Sequence, residues 1–306
     1  MPAFSSHYIF ARELMPFVKE HADFSINCDA VYYGAQGPDI FFFHRVMPWM
    51  CGKSLRKFGS TLHRSKPALL LEIMRSYCNK SDNPELAKSY VYGFIMHYAL
   101  DRRCHPYVYS LQNKMTQENR FMNPHTAHNK IEFAMDSYLL SKRLNVENPQ
   151  KFNPAEVFNF NSALADETGL LYEYLAPKVS DINAKAKCFS QAVEDTKYIQ
   201  KLSTDSTGIK RAIITPIEAI IAPVTKNYKF TAMMRPKDLE KAKKYANIEK
   251  SEWISPFDNK AYRYSFEELF EQAKLEAEKM ILSYQSELPC LQITQNISFL
   301  TGVEVK

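Results

Sequence analysis

The stretch Pro84-Glu-Leu-Ala-Lys-Ser-Tyr-Val-Tyr-Gly-Phe-Ile-Met-His97-Tyr-Ala-Leu-Asp101-Arg-Arg-Cys-His105 decides how this chain is read. Its apolar residues Ala87, Tyr90, Val91, Phe94, Ile95 and Tyr98 recur at helical spacing. His97 and Asp101 stand four residues apart, one turn apart on a shared face. His105 adds a second turn, displaced about 80° around the axis from His97 at 3.6 residues per turn. An imidazole and a carboxylate are costly to bury among apolar neighbours unless they are paired or hold a metal. Pro106 disfavours helix in the residue before it, so this helix is expected to end there.

Working outward, helices are expected at about 7–20, 65–79, 125–142, 154–175, 179–202 and 207–222, with another possible at 236–245. Ser265-Phe-Glu-Glu268 is a capping box opening a helix to about 285. Residues 28–60, rich in aromatics, Gly and Pro, read as a structured loop; 110–123 reads as polar loop and 143–153 as a connector. Most of 223–263 reads as irregular. The class is all-α. Residues 1–145 are expected to form a helical core, with 146–306 a helical region packed on it.

Composition agrees. Among 306 residues only 8 are glycine, 45% are hydrophobic and 24% charged, which suits a folded helical protein and argues against disorder. No apolar run reaches the roughly 18 residues of a membrane span. The first residues have no charged and apolar regions of a signal peptide. The six cysteines are scattered without a CxxC pair. A cytoplasmic location is therefore expected. The net charge of +5 is mild, and the most basic stretch, Lys237 to Lys244, is interleaved with acids as on a solvated helix face.

The histidines are unevenly placed: all eight lie between residues 7 and 128. His128-Asn-Lys-Ile-Glu132 repeats the spacing of His97 and Asp101 on the next expected helix. Imidazole and carboxylate are the ligands a borderline cation such as Zn²⁺ takes without thiolates. A lone pair of this kind is usually a surface ion pair. Asp39 in Gly-Pro-Asp, taken alone, is a turn residue. Two such pairs on neighbouring helices, one inside an apolar run, favour a metal site.

The ordered set His7, Gly37-Pro38-Asp39, His63, His97-x3-Asp101, His105, His128-x3-Glu132 resembles the zinc-dependent phospholipase C family, which shares its fold with single-strand-specific zinc nucleases. The gap between Asp101 and His105 is shorter than in the best-known members. The later half, including Trp253 to Leu269, is similar to the C-terminal region of bacterial members and carries no ligand.

The resemblance implies a multi-helix bundle and up to three Zn²⁺. Asp39, His63, His97 and Asp101 would hold one ion, and His105, His128 and Glu132 a second. His7, a bridging Asp101 and the N-terminal residue, here Pro2 after loss of Met1, would hold a third. It also implies hydrolysis of a phospholipid or other phosphodiester by activated water, with Asp39 as the candidate residue that orients or deprotonates it. Peripheral membrane contact would accompany a lipid substrate. Nucleic acid is the substrate only under the nuclease alternative, and a non-catalytic zinc-stabilised binding protein is another. In lecithin-cleaving members an aromatic follows the metal aspartate and another lies three residues before the second histidine. Ile40 and Ser60 stand there, so no choline cage is expected. Phe41, Phe42, Phe43 and Trp49 form an aromatic cluster that suits core packing better than a lipid wall.

Overall fold

The computed structural model describes residues 4–47, 49–157, 159–236 and 238–305. In chain order the helices are α1 (Phe4–His21), α2 (Cys28–Gly34), α3 (Arg56–Arg64), α4 (Pro67–Cys78), α5 (Pro84–Glu118), α6 (Pro124–Leu144), α7 (Ser162–Val179), α8 (Ala186–Ser203), α9 (Ile209–Ile221), α10 (Leu239–Tyr245), α11 (Phe266–Gln285) and α12 (Cys290–Thr294). A 3₁₀ turn covers Gly37–Phe42. The only strand pair among the described residues is the hairpin of Trp253–Ile254 with Ala261–Tyr262. The protein is all-α.

Helix α5 is the axis. Its 35 residues pack against α1, α2, α4, α6, α7 and α11. Tyr90, Val91, Ile95, Tyr98, Leu100 and Val108 are fully buried along it. The crossing with α2 is close because glycines face each other. A Cβ on Gly34 would strike the Tyr90 carbonyl, and one on Gly93 the Val31 carbonyl.

Several expectations need correction. Helix α5 does not end at Pro106; it runs through it to Glu118, across most of the expected 110–123 loop. Tertiary packing outweighs the local penalty of a proline, because Tyr107 and Val108 are buried beyond it. The chain at Gly302 also closes on the proline, where a Cβ would lie 2.7 Å from the Pro106 ring. Residues 28–60 are not one loop. Asn27 caps α2 through the Ala30 N–H, and α3 begins at Arg56. Helices α7 and α8 start later than expected, at Ser162 and Ala186, each after an extended cap residue. Within 223–263 the possible helix at 236–245 forms as α10, Leu239–Tyr245, whereas the hairpin was not expected. Lys237, first residue of the basic stretch, lies outside the described residues. The capping box at Ser265 and Glu268 forms as read.

The start of α1 is anchored by Asp136 of α6. Its carboxylate accepts from the Ser5 and Ser6 N–H groups at 3.0 and 2.9 Å and from Ser6 Oγ at 2.6 Å. Arg235 lies 3.6 Å from the same carboxylate and donates to Ser5 Oγ at 2.7 Å. All four side chains are buried. This satisfies N–H groups that a helix start leaves orphaned and sets the position of His7, the next residue. Asp136→Ala leaves Arg235 buried without its counter-charge; the expected loss is about 3–5 kcal/mol, read as a lower urea midpoint.

Candidate metal centre

Five elements carry the candidate ligands inward. His7 comes from α1, Asp39 from the 3₁₀ turn, His63 from the last turn of α3, and His97, Asp101 and His105 from successive turns of α5. His128 and Glu132 come from α6, whose first turn is capped by the Asn123 side chain. Gly37 sets the approach of the 3₁₀ turn. Its φ is +52°, and an added Cβ would sit 2.5 Å from the His97 ring.

The side chains fall into two groups. In one, a ligand atom from each of Asp39, His63, His97 and Asp101 lies within 4.8 Å of the others. In the second, His105, His128 and Glu132 meet the same limit. His7 joins the first group from the side, its Nε2 3.4 Å from Asp101 and 3.9 Å from Asp39. Asp101 belongs to the first group, 3.2 Å from His97 Nε2 and 3.6 Å from His63 Nε2, and the Nδ1 edge of His105 passes 3.7 Å from it. Pro2, expected beside His7, lies outside the described residues.

The outer ring of contacts fixes the histidine tautomers. Nδ1 of His63 donates to the Gly59 carbonyl at 2.8 Å, that of His97 to Ala35 at 3.2 Å, and that of His105 to Phe299 at 2.6 Å. His128 Nδ1 donates to Gln112 Oε1 at 2.8 Å. A carbonyl only accepts, so Nδ1 carries the proton and the Nε2 lone pair of the neutral ring points inward. Metal-ligating histidines are oriented in this way.

The inward atoms fit a cation better than they fit one another. Nε2 of His63, His97 and His105, both nitrogens of His7, both oxygens of Asp101 and Oδ1 of Asp39 are buried without a hydrogen-bond partner. Such groups in an apolar interior are expensive. Tetrahedral zinc with ligands at 2.0–2.1 Å keeps its donor atoms about 3.4 Å apart. His63 Nε2 to Asp39 at 3.1 Å and His97 Nε2 to Asp101 at 3.2 Å are close to that edge.

The electrostatics agree. Burial lowers the pKa of His7, and of His128 strongly, and takes His105 to about 3, so these rings stay neutral. Burial pushes Glu132 well above the usual carboxylate range, reinforced by Asp39 and Asp101. Asp101, despite a burial penalty, is held well below the usual carboxylate range by the imidazoles that surround it, His97 foremost. His63 is raised to about 9 because Asp101 and Asp39 outweigh its burial, so without a cation its inward Nε2 holds a proton that a bound metal would displace. Stacked carboxylates of this kind call for positive charge.

Asp39 is the partly exposed member of the first group, its side chain 10% accessible, whereas Asp101 is sealed. Phe42 stacks on His63. Tyr109 packs edge-on to His128 and to Phe257. The aromatic cluster divides: Phe41 is in the core against Phe58 and Tyr172, Phe43 packs on a small cluster with Phe133 and Met233, and Trp49 is exposed.

Of the remaining histidines, His21 and His125 are exposed. His44 is buried with the opposite tautomer: its Nδ1 accepts the Leu55 N–H at 3.0 Å, and it belongs to neither group. Sequence reading missed Gln112, which it placed in a loop, and the three backbone acceptors, which no residue type announces.

A helical scaffold that gathers imidazoles and carboxylates around shared points defines a candidate polynuclear metalloprotein. The profile of the zinc-dependent phospholipase C family matches residues 6–189, more than half of the chain, and the chain belongs to that family. No curated protein and no solved structure matches it. The matched span includes both ligand groups.

Gln112→Ala removes the acceptor that orients His128. It is expected to weaken zinc binding at the second group by about 10–100-fold, measured by competition with a chromogenic chelator.

Proposed function

We propose that this protein is a zinc-dependent phosphodiester hydrolase of the phospholipase C type, acting on a phospholipid or a related phosphodiester. The observation that carries the reading is the burial, without hydrogen-bond partners, of Nε2 of His63, His97 and His105 and of both Asp101 oxygens, within two groups of imidazoles and carboxylates. Asp39, His63, His97 and Asp101 would hold one ion, and His105, His128 and Glu132 the second. His7 and Asp101, with the amine of Pro2 after loss of Met1, would hold a third.

Zinc, when bound there, would supply Lewis acidity towards a phosphoryl oxygen and lower the pKa of a bound water from 15.7 towards about 7. The chain's own groups do the rest. Asp101, beside His63 and His97 on one side and His7 on the other, would bridge the first and third ions. The Nδ1 donations of His63, His97 and His105 keep the rings from turning. Asp39, the partly exposed carboxylate of its group, orients the attacking water and receives its proton as the phosphorus–oxygen bond to the leaving alcohol breaks. The products are an alcohol and a phosphomonoester.

Choline selectivity is not part of this proposal. Ile40 is buried in the core and its carbonyl accepts from Thr196 Oγ1 at 3.1 Å, so it presents no face to a headgroup.

Two measurements test the reading. Elemental analysis of the purified protein should find two to three zinc ions per chain, and Asp101→Asn should lose at least one; unchanged stoichiometry removes Asp101 as the bridge. Asp39→Asn, assayed at saturating zinc, should lower kcat by about 10²–10⁴-fold on phospholipid micelles. Hydrolysis of single-stranded DNA without hydrolysis of lipid moves the protein to the nuclease alternative.

A further inference from the structure

Helix α9 is built inside out. Its one buried residue is the acid Glu218, whose carboxylate accepts from the Thr231 N–H at 2.7 Å and Thr231 Oγ1 at 2.6 Å. Arg211, on the same side, donates to the carbonyls of Met234 and Arg235 at 2.7 and 3.2 Å. Asp205 accepts the first-turn N–H groups of Lys210 and Arg211. The polar side is thus tied to the protein by specific bonds. Ile209, Ile213, Ile217 and Ile220 follow at helical spacing on the outer side, and Val224 continues the row. They are 50–86% exposed, Val224 most of all. A contiguous apolar stripe held outward by hydrogen bonds marks a contact surface rather than imperfect packing.

We propose that the α9 stripe is the surface by which this protein seats on an anionic phospholipid bilayer. The inference rests on the phospholipase reading and adds the place of contact. Three features select the bilayer as occupant. The chain that follows the stripe carries the exposed Lys226 and Lys229, and the exposed Lys201 sits at its start, where its carbonyl accepts from Lys210 Nζ at 2.9 Å, while the acid of the helix, Glu218, is turned inward. A cationic rim about an apolar face suits an interface of anionic headgroups and acyl chains. No helix among the described residues is long and apolar enough to cross a membrane, so contact would be interfacial.

The stripe also adjoins the metal centre through the chain that follows it. Asn123 Nδ2 donates to the Lys226 carbonyl at 2.9 Å, and the Lys229 N–H to Thr126 Oγ1 at 2.9 Å. Both acceptor and donor partners belong to the start of α6, whose next turns carry His128 and Glu132. A second copy of the chain suits the stripe less well. An isologous contact would bring two cationic rims together, and a stable pair buries about 800 Å² per partner, more than five aliphatic side chains supply.

The test is co-sedimentation of the full chain with vesicles of phosphatidylcholine alone and of phosphatidylcholine with phosphatidylglycerol. It is run with and without zinc, for the wild type and for Ile213→Glu/Ile217→Glu. Wild type is expected to bind the mixed vesicles, and the double variant at least ~tenfold more weakly, because two buried aliphatic chains are replaced by like charges. Leu275→Glu, an equally exposed apolar residue on α11, should bind as wild type. Turnover of soluble bis(p-nitrophenyl) phosphate should be equal in all three. Equal vesicle binding by the double variant overturns the inference, as does a wild-type dimer that the double variant dissolves. Absence of any hydrolysis with vesicle binding intact leaves this surface standing and removes the enzymatic reading instead.

Discussion

The carboxylate of Asp101 is sealed inside the helix that forms the axis of the fold, with no hydrogen-bond donor of its own and imidazoles of His7, His63, His97 and His105 around it. A buried charge of this kind costs several kcal/mol unless it is compensated, and the compensation must come from the same few ångströms. Much of the architecture follows from that demand. Helices α1 and α3 and the 3₁₀ turn each deliver one ligand to the same helix face, and the tight glycine contact between α2 and α5 leads the chain into that turn. Asp136 and Arg235 hold the start of α1 so that His7 arrives in place.

The composition of the site was legible in the sequence because its ligands are rare residue types at helical spacing. His97, Asp101 and His105 on one apolar helix, and His128 with Glu132 on the next, carry the information locally. Their grouping around two points, and the family that the profile match shows, agree with the order of the motifs. The helix that continues through Pro106 shows the limit of local rules. The penalty of a proline is a few kcal/mol, and Tyr107, Val108 and the chain near Gly302 supply packing on that order. Likewise the short helices of residues 28–60 are stabilised by a cap at Asn27 and by close approach to α5, neither of which appears as periodicity.

The acceptors of the ring nitrogens were illegible for a different reason. Ala35, Gly59 and Phe299 contribute only backbone carbonyls, which every residue has. They nonetheless decide which imidazole nitrogen faces inward, and His44 illustrates the converse: given a backbone N–H to accept instead, a buried histidine turns the other way and stands apart from both ligand groups. The identity of the side chain makes ligation possible; the polarity of the nearest backbone group decides it.

The Phe299 carbonyl carries a consequence for the order of assembly. A chain emerging from its N-terminus possesses both ligand groups once Glu132 has been made, and its α5 and α6 can already form. The partner that orients His105 is made 167 residues after Glu132. The second ligand group therefore lacks its His105 acceptor in any chain that stops short of Phe299, and the segment around Phe299 acts as the latch on a candidate site whose ligands all precede residue 133.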